Sequence, residues 1–229
     1  MKDFSIDQVQ FLIASNPLAK NLLRKELVTT YDEFVDVLYD EMDIVISTLE
    51  ENPQHHYDDN EDKITYSIVS MLKMRNYNAT QGTTNGGNVD ITVKGINPLW
   101  SWIGEAKIYA TLKNLQEGFL QLTTRYRNAS PVYAQRGLLA YTKRADSTAH
   151  LKEWDDHVTN LKLPDFTRAD CSKRPGMAFL TTHRDASSGQ PVTIRHNVIA
   201  LYHLPEDRSG RTAAKYKARR KKASEKISD

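Results

Sequence analysis

The chain has 229 residues and a mass of 26.1 kDa, enough for one sizeable hydrophobic core. Hydrophobic residues make up 39% and charged residues 26%, a balance typical of globular proteins and unlike that of disordered chains. The single cysteine, Cys171, excludes an internal disulfide and a cysteine-based zinc site. The N-terminus lacks a signal-peptide pattern and no apolar run is long enough to span a bilayer. We therefore expect a cytoplasmic protein with no membrane partner.

The charge is unevenly distributed. Residues 1–62 carry a net charge of −11 and, because the whole chain carries +2, the remainder carries +13. A basic body favours a polyanionic partner such as nucleic acid. Solvated surfaces of opposite sign are an equal alternative from charge alone.

Hydrophobic periodicity predicts helices over the first third of the chain. Residues 5–52 show apolar side chains at steps of three and four, with a break at Asn16-Pro17. The stretch from 52 to 62 has no periodicity and is typical of a linker. A further helix is predicted from about Glu61 to Arg75.

After residue 76 the pattern becomes that of short strands. Six runs rich in β-branched and aromatic residues are bounded by Gly, Asn and Pro: YNAT, NVDITV, WSWIGEAKIY, GLLAYT, MAFLTTH and TIRHNVIALYHL. Helices are predicted from about Leu112 to Asn128 and within STAHLKEWDDHVTNLK. This order predicts an α/β protein whose mixed central sheet is flanked by helices. We expect an N-terminal helical extension (1–57), a central domain (58–205) and a flexible or helical basic tail (206–229).

Three charged residues interrupt the predicted strands. Glu105 and Lys107 are two residues apart and must project from the same face of their strand. In the preceding run, NVDITV, alternation places Asp90 on the face opposite Val89, Ile91 and Val93, so that one acid lies among core-forming residues. The intervening KGINPL is typical of a hairpin connection, which would bring all three side chains together at the edge of the sheet.

Such a cluster destabilises the fold unless another group compensates its charges. Neighbouring carboxylates repel, and a buried unpaired charge costs several kcal/mol. A hard divalent cation removes this cost, because Mg²⁺ binds carboxylates together with waters and phosphate oxygens. A nearby lysine would orient or activate a water, or stabilise charge developing on phosphorus. The pattern therefore favours hydrolysis of a phosphodiester.

The arrangement of Asp90, a spacer and Glu105-Ala106-Lys107 resembles the D-(spacer)-E-x-K signature of the PD-(D/E)xK, restriction-endonuclease-like nucleases. Glu61 occupies the place where many members contribute another metal-binding acid. Gln121, on the helix after the E-x-K strand, resembles the glutamine that many members use near the scissile phosphate. Two departures are evident: Val89 replaces the proline, and Tyr126 lies five residues after Gln121 instead of four.

The resemblance covers roughly residues 60–205 and implies a restriction-endonuclease-like fold and a Mg²⁺- or Mn²⁺-dependent deoxyribonuclease. Glu61, Asp90 and Glu105 would hold the metal, and Lys107 would position or activate the water. Gln121 would orient the water or the phosphate. The residues expected to contact DNA are Arg125, Lys215, Lys217, Arg219 and Arg220. By analogy we expect an endonuclease in restriction or phage defence, acting as a homodimer with the N-terminal helices as its interface.

Alternatives stay open at this point. The acids and lysine could form a structural ion pair at a sheet edge. The chain could be the nuclease subunit of an assembly gated by an ATPase or helicase, or a non-catalytic DNA-binding protein of nuclease fold. RNA is an alternative substrate. The tail could be a solubilising segment or could contact the acidic N-terminal helices.

Overall fold

The structure is a computed structural model that describes residues 5–84, 87–126, 134–186 and 188–225. The helices within these ranges are α1 (Ile6–Ser15), α2 (Pro17–Glu26), α3 (Tyr31–Glu51), α4 (Pro53–His56), α5 (Glu61–Met74), α6 (Leu112–Leu120), α7 (Ser147–Thr159), α8 (Arg208–Thr212) and α9 (Ala214–Glu225). A π-helical turn, Gln121–Arg125, continues α6 directly. None of the helices among the described residues has the length and apolar character needed to cross a membrane.

The strands form a mixed seven-stranded sheet and a separate two-stranded ribbon. They are β1 (Asn78–Thr80), β2 (Thr83–Thr84), β3 (Asn88–Val89), β4 (Ile91–Lys94), β5 (Ser101–Ile108), β6 (Gln135–Thr142), β7 (Thr167–Asp170), β8 (Ala178–Arg184) and β9 (Pro191–Ala200). The order in the large sheet is β1-β4-β5-β6-β9-β8-β7, and β2 pairs with β3. The β5–β6 and β6–β9 pairs are parallel and the others are antiparallel. The predicted α/β class with a mixed sheet between helices is confirmed.

Each face of the large sheet carries its own hydrophobic core. On one face α3 and α5 pack against alternate residues of β4 and β5, among them Ile91, Trp102 and Ala106. On the other face α6 and α7 pack against residues of β5 and β6, among them Ile103 and Leu138. The period-two alternation of β5 therefore separates the two cores.

The predicted elements agree with the structure in most places. The helix break at Asn16-Pro17 is confirmed, since α1 ends at Ser15 and α2 begins at Pro17. The predicted linker at 52–62 contains the single turn of α4. The predicted helix from Leu112 becomes π-helical at Gln121, and its predicted end at Asn128 lies outside the described residues. The pairs β2–β3 and β7–β8 include strands, β2 and β7, that periodicity did not indicate.

The predicted domain boundary at residue 57 does not separate two hydrophobic cores. Eleven residues of α3 are buried, and its apolar side chains belong to the same core as α5 and the sheet. By contrast α1 buries none of its residues, and Ile6 and Phe11 on it are exposed. Among the described residues, α3 thus belongs to the same core as α5 and the sheet, and α1 lies outside that core.

His196 gives the fold a defined acid sensitivity. It is buried in β9, where Nδ1 accepts from Trp154 Nε1 at 3.0 Å and Nε2 lies 2.8 Å from Thr181 Oγ1. Burial lowers the pKa of His196 to about 3, with a further contribution from His183. Between pH 6.5 and 3 the unfolded chain binds a proton at His196 and the folded chain does not. The free energy of unfolding therefore decreases as the pH is lowered, by up to about 5 kcal/mol.

We expect His196→Asn to flatten this pH dependence, measured as the free energy of unfolding in urea at pH 7.5 and pH 5. The exposed residue His55 supplies the control, because His55→Asn should leave the slope unchanged. Equal slopes for wild type and His196→Asn would contradict the assignment.

Candidate active site

Asp90 lies at a bend between two strands and not within one. The predicted strand NVDITV is divided into β3 and β4, because β3 leaves the large sheet to pair with β2. Val89 consequently packs in the α6–α7 core while Ile91 and Val93 pack in the α3–α5 core. The interpretation that Val89 shares a face with Ile91 and Val93 is therefore wrong. At the bend, Asp90 Oδ2 accepts a hydrogen bond from the Ala106 amide at 2.8 Å.

The hairpin predicted from KGINPL is confirmed. β4 and β5 are antiparallel, with Ile91 opposite Gly104 and Lys94 opposite Ser101. This register places the bend at Asp90 beside residues 105–107 of β5. Glu105 and Lys107 share the face of β5 that Ile103 also occupies, as their spacing predicts.

Glu61 reaches the same point from the first turn of α5. Asn60 caps this helix by accepting from the Lys63 amide, which fixes where the helix begins. Glu61 Oε2 accepts from the Ile108 amide at 2.8 Å, and Oε1 accepts from Lys107 Nζ at 3.3 Å. Helix α5 and strand β5 are thus joined through one carboxylate.

The ammonium of Lys107 is surrounded by three carboxylates. Its Nζ lies 2.7 Å from Glu105 Oε1, 3.3 Å from Glu61 Oε1 and 3.8 Å from Asp90 Oδ2. Only 14% of the Lys107 side chain is exposed. Burial alone would lower its pKa, but the hydrogen bond and charges of the surrounding carboxylates raise the pKa above its usual value. Lys107 is therefore a cation at neutral pH, and one ammonium cannot neutralise three carboxylates.

The excess negative charge is reflected most strongly at Glu105. This residue is 1% exposed, and burial followed by the charge of Asp90 raises the pKa of Glu105 to about 7. Burial also raises the pKa of Asp90, against the Ala106 amide and Lys107, which lower it. A site with two elevated carboxyl pKa values around a buried cation is typical of functional centres.

The π-helical turn after α6 supplies further contacts to Glu105. With its amide oriented to satisfy both neighbours, Gln121 donates from nitrogen to Glu105 Oε1 and accepts at oxygen from Arg125 Nη1 at 3.2 Å. The Tyr126 hydroxyl lies 3.1 Å from Glu105 Oε2 and 2.6 Å from the Asn88 carbonyl oxygen. The i→i+5 bond from the Tyr126 amide to the Gln121 carbonyl, at 3.4 Å, sets these residues one turn apart.

Arg136 holds the π-helical turn in place through a hydrogen bond to its backbone. It is 2% exposed on β6, and its Nη1 donates to the Leu122 carbonyl. Its Nη2 lies 3.7 Å from the buried carboxylate of Asp185. Sequence reasoning did not identify Arg136, although an arginine at the start of the apolar run RGLLAYT was a signal for a buried polar contact.

Gly118 makes room for Lys107 beneath α6. A Cβ at position 118 would lie 2.8 Å from Lys107 Cγ and 3.3 Å from Leu138 Cδ1. Alanine is the better helix former by about 1 kcal/mol, but here its methyl group would displace the lysine stem.

We expect Gly118→Ala to lower the rate of any reaction that uses Lys107 by roughly 10-fold or more, since small displacements of a catalytic group have large effects. The protein should remain folded, as judged by thermal denaturation. Ala149→Gly on α7 serves as a packing control away from this lysine, and wild-type kinetics for Gly118→Ala would show that Lys107 is not constrained there.

Of the five residues predicted to contact nucleic acid, Arg125 lies on the π-helical turn and the other four lie on α9. Arg219 and Arg220 are engaged within the chain, Arg219 with Asp58 and Arg220 with the Pro205 and Gly210 carbonyls. Lys215 and Lys217 are exposed. Within the part of the chain that the structure describes, none of these four residues contacts the carboxylates around Lys107.

The donor set suits a hard divalent cation in chemistry. As placed, the described side chains form no group of three or more His, Cys, Asp and Glu ready to hold a metal, because the carboxylates face Lys107. Asp90 and Glu105 nevertheless converge on one ammonium, and Mg²⁺ commonly takes only one or two carboxylates besides water and phosphate oxygens. The two residues thus fit a Mg²⁺ or Mn²⁺ ion by ligand type and by their excess negative charge.

The structure brings most of the predicted site residues into one cluster: Glu61, Asp90, Glu105, Lys107, Gln121 and Arg125. It adds Tyr126, which directly contacts Glu105. A scan against protein-family models, a search of curated proteins and a search of solved structures each gave no match to this chain.

Proposed function

We propose that this protein is a Mg²⁺- or Mn²⁺-dependent nuclease of restriction-endonuclease-like fold that hydrolyses DNA phosphodiester bonds. The observation that carries the proposal is the convergence of Glu61, Asp90 and Glu105 on the Lys107 ammonium. A purely structural pair would need one acid, and three acids leave a negative charge that a divalent cation would neutralise.

Asp90 and Glu105 would hold the metal, which supplies Lewis-acid stabilisation of the phosphate and a water of lowered pKa. Without a metal, the surrounding carboxylates raise the pKa of Lys107 above its usual value, so that its ammonium contacts them. It would donate hydrogen bonds to the attacking water or to a phosphate oxygen and stabilise the charge that develops on the phosphorane. We therefore assign Lys107 the role of positioning or activating the water.

Gln121, which donates to the same Glu105 oxygen as Lys107, would orient the water or the phosphate. Arg125 donates to the Gln121 amide oxygen and would contact a backbone phosphate. The π turn supports the family resemblance, since an i→i+5 step returns Tyr126 to the position relative to Gln121 that an i→i+4 step gives on an α-helix.

By analogy with the nucleases that the sequence resembles, we propose an endonuclease in restriction or phage defence, acting as a homodimer. The exposed apolar side chains of α1 and the uncovered position of that helix support it as a surface for a second copy or for an ATPase or helicase subunit.

The test is incubation of the purified protein with supercoiled and linear plasmid in Mg²⁺, Mn²⁺ or EDTA. Nicking or linearisation that requires the metal supports an endonuclease, and shortening of linear DNA alone indicates an exonuclease. Asp90→Asn should abolish the activity, whereas Asp62→Asn, an exposed acid on the first turn of α5, should not. Metal-independent cleavage, or equal activity of Asp90→Asn, would refute the proposal. Activity only after adding a partner ATPase would assign the chain to a gated assembly.

A further inference from the structure

The basic tail is an ordered helix that apolar burial does not explain. Over Ala214–Glu225 the sequence AKYKARRKKASE contains one aromatic residue and no large aliphatic residue. A helix that is polar on all sides gains little from packing and needs another source of stabilisation.

One such source is Arg219. Although charged, it is 8% exposed, and its guanidinium lies 4.1 Å from the Tyr57 ring centroid and 5.4 Å from that of Tyr216. It also pairs with Asp58. A planar guanidinium over an aromatic ring combines cation–π attraction with stacking, and the ammonium of lysine does not reproduce the stacking. Arg219 therefore fastens α9 to the segment between α4 and α5.

The docking point lies beside the candidate active site. Asp58 precedes Glu61 by three residues, so their Cα atoms are at most about 11 Å apart. Lys143, at the end of β6, donates to the neighbouring Asp59 carbonyl. Arg219 is near enough for its charge to contribute, after burial, to lowering the pKa of Lys143. The tail, the end of β6 and the start of α5 thus meet at one edge.

We propose that α9 is a docked phosphate-binding arm: the seat of Arg219 on Tyr57 and Asp58 holds the helix at this edge, so that Lys215 and Lys217 contact the backbone of a DNA strand extending from the active site. This inference rests on the proposed function for the identity of the strand. The three carboxylates around Lys107 repel phosphates, and exposed cations on an adjacent helix offset that repulsion. Two lysines on a helix with no apolar stripe match a polyanion better than an apolar protein surface.

The key prediction concerns an uncharged residue. If the docked position of α9 matters, Tyr57→Ala weakens DNA binding as much as Lys215→Ala/Lys217→Ala does, although it removes no positive charge. Arg219→Lys should act like Tyr57→Ala, because it keeps the charge and loses the planar stack. Tyr57→Phe keeps the ring and should bind like wild type.

Binding is measured in EDTA by fluorescence anisotropy with a labelled DNA duplex between 50 and 300 mM salt. For the double lysine variant we expect affinity to fall on the order of 10- to 100-fold at 100 mM salt and the slope of log K against log[salt] to shrink by about 2. The matched controls are Lys73→Ala/Lys94→Ala, which removes two exposed lysines from other elements, and Tyr66→Ala, which removes an exposed tyrosine of α5. Both should bind like wild type.

Loss of binding in the lysine variant, with wild-type binding by Tyr57→Ala and Arg219→Lys, would overturn the docked arm. Wild-type binding by every tail variant would reduce α9 to a solubilising tail, and tighter competition by single-stranded RNA than by duplex would overturn the DNA assignment. Melting temperatures of all variants identify any that fail to fold, for which Tyr57→Phe and Arg219→Lys provide the milder comparison. Because binding in EDTA requires no cleavage, a working arm without metal-dependent activity would refute the proposed function alone.

Discussion

Lys107→Met is expected to lower metal-dependent cleavage by roughly 10²- to 10⁴-fold, the range typical for loss of a positioned catalytic group. The same change should destabilise the fold, because methionine fills the space of the lysine stem and leaves three carboxylates without their cation. Breaking a largely buried charge cluster costs about 3 kcal/mol or more, which corresponds to a melting temperature about 6–12 °C lower for a chain of this size. The penalty should be greatest at pH 8, where Glu105 is ionised.

Metal binding gives a readout of this variant that does not depend on activity. With the ammonium removed, the carboxylates of Asp90, Glu105 and Glu61 become available to a divalent ion, so Mg²⁺ should raise the melting temperature of Lys107→Met by more than that of wild type. Lys63→Met is the matched control, since Lys63 of α5 pairs with Asp59, just before that helix, but is largely exposed. Metal-insensitive melting of Lys107→Met would show that the cluster is a structural ion pair.

Much of this arrangement could be predicted from sequence because it depends on local rules. The alternation of β5 fixes Glu105 and Lys107 on one face, and Gly and Pro in KGINPL fix the return of the chain that brings Asp90 beside them. The acid at the start of α5 follows from helix capping and periodicity. Each of these signals lies within a few residues of the side chain that it positions.

The remainder depends on tertiary pairing that a single sequence does not reveal. The bend at Asp90 arises because β3 pairs with β2, outside the large sheet. The π turn that aligns Gln121 with Tyr126 is held by Arg136, fourteen residues from its acceptor Leu122. The docking of α9 joins Arg219 to Asp58 across 161 residues. Propensity and periodicity contain no information about such long-range contacts.

The candidate site also contains an interaction that lowers the stability of the fold. Glu105 is buried with its charge opposed by Asp90, while the surrounding cores are apolar and well packed. Retaining an ionisable group where a neutral one would be more stable is expected at a functional centre, and it separates the needs of folding from those of chemistry.

Glu105→Gln should therefore have opposite effects on function and stability. It removes the charge expected to hold the metal, so cleavage should fall by at least about 10²-fold. Since the pKa of Glu105 is raised to about 7 in the folded state, its stabilising contribution is present below its unfolded pKa and is lost as pH rises to 7. At pH 8 the glutamine variant should be more stable than wild type by up to about 3 kcal/mol, and at pH 4.5 the difference should nearly vanish.

The neighbouring hydrogen bonds accommodate this change. The Tyr126 hydroxyl has one proton and two acceptors, the Asn88 carbonyl at 2.6 Å and Glu105 Oε2 at 3.1 Å. A glutamine nitrogen in place of Oε2 would donate to the tyrosine oxygen, leaving the tyrosine proton to Asn88. Unfolding in urea at pH 4.5, 6 and 8 measures the effect, with Glu117→Gln at an exposed position of α6 as the control. Because both variants remove one negative charge, extra stability that appears equally in Glu117→Gln would reflect net charge alone. Stability gained only at position 105, together with lost cleavage, would show that the buried carboxylate is kept for chemistry at the expense of the fold.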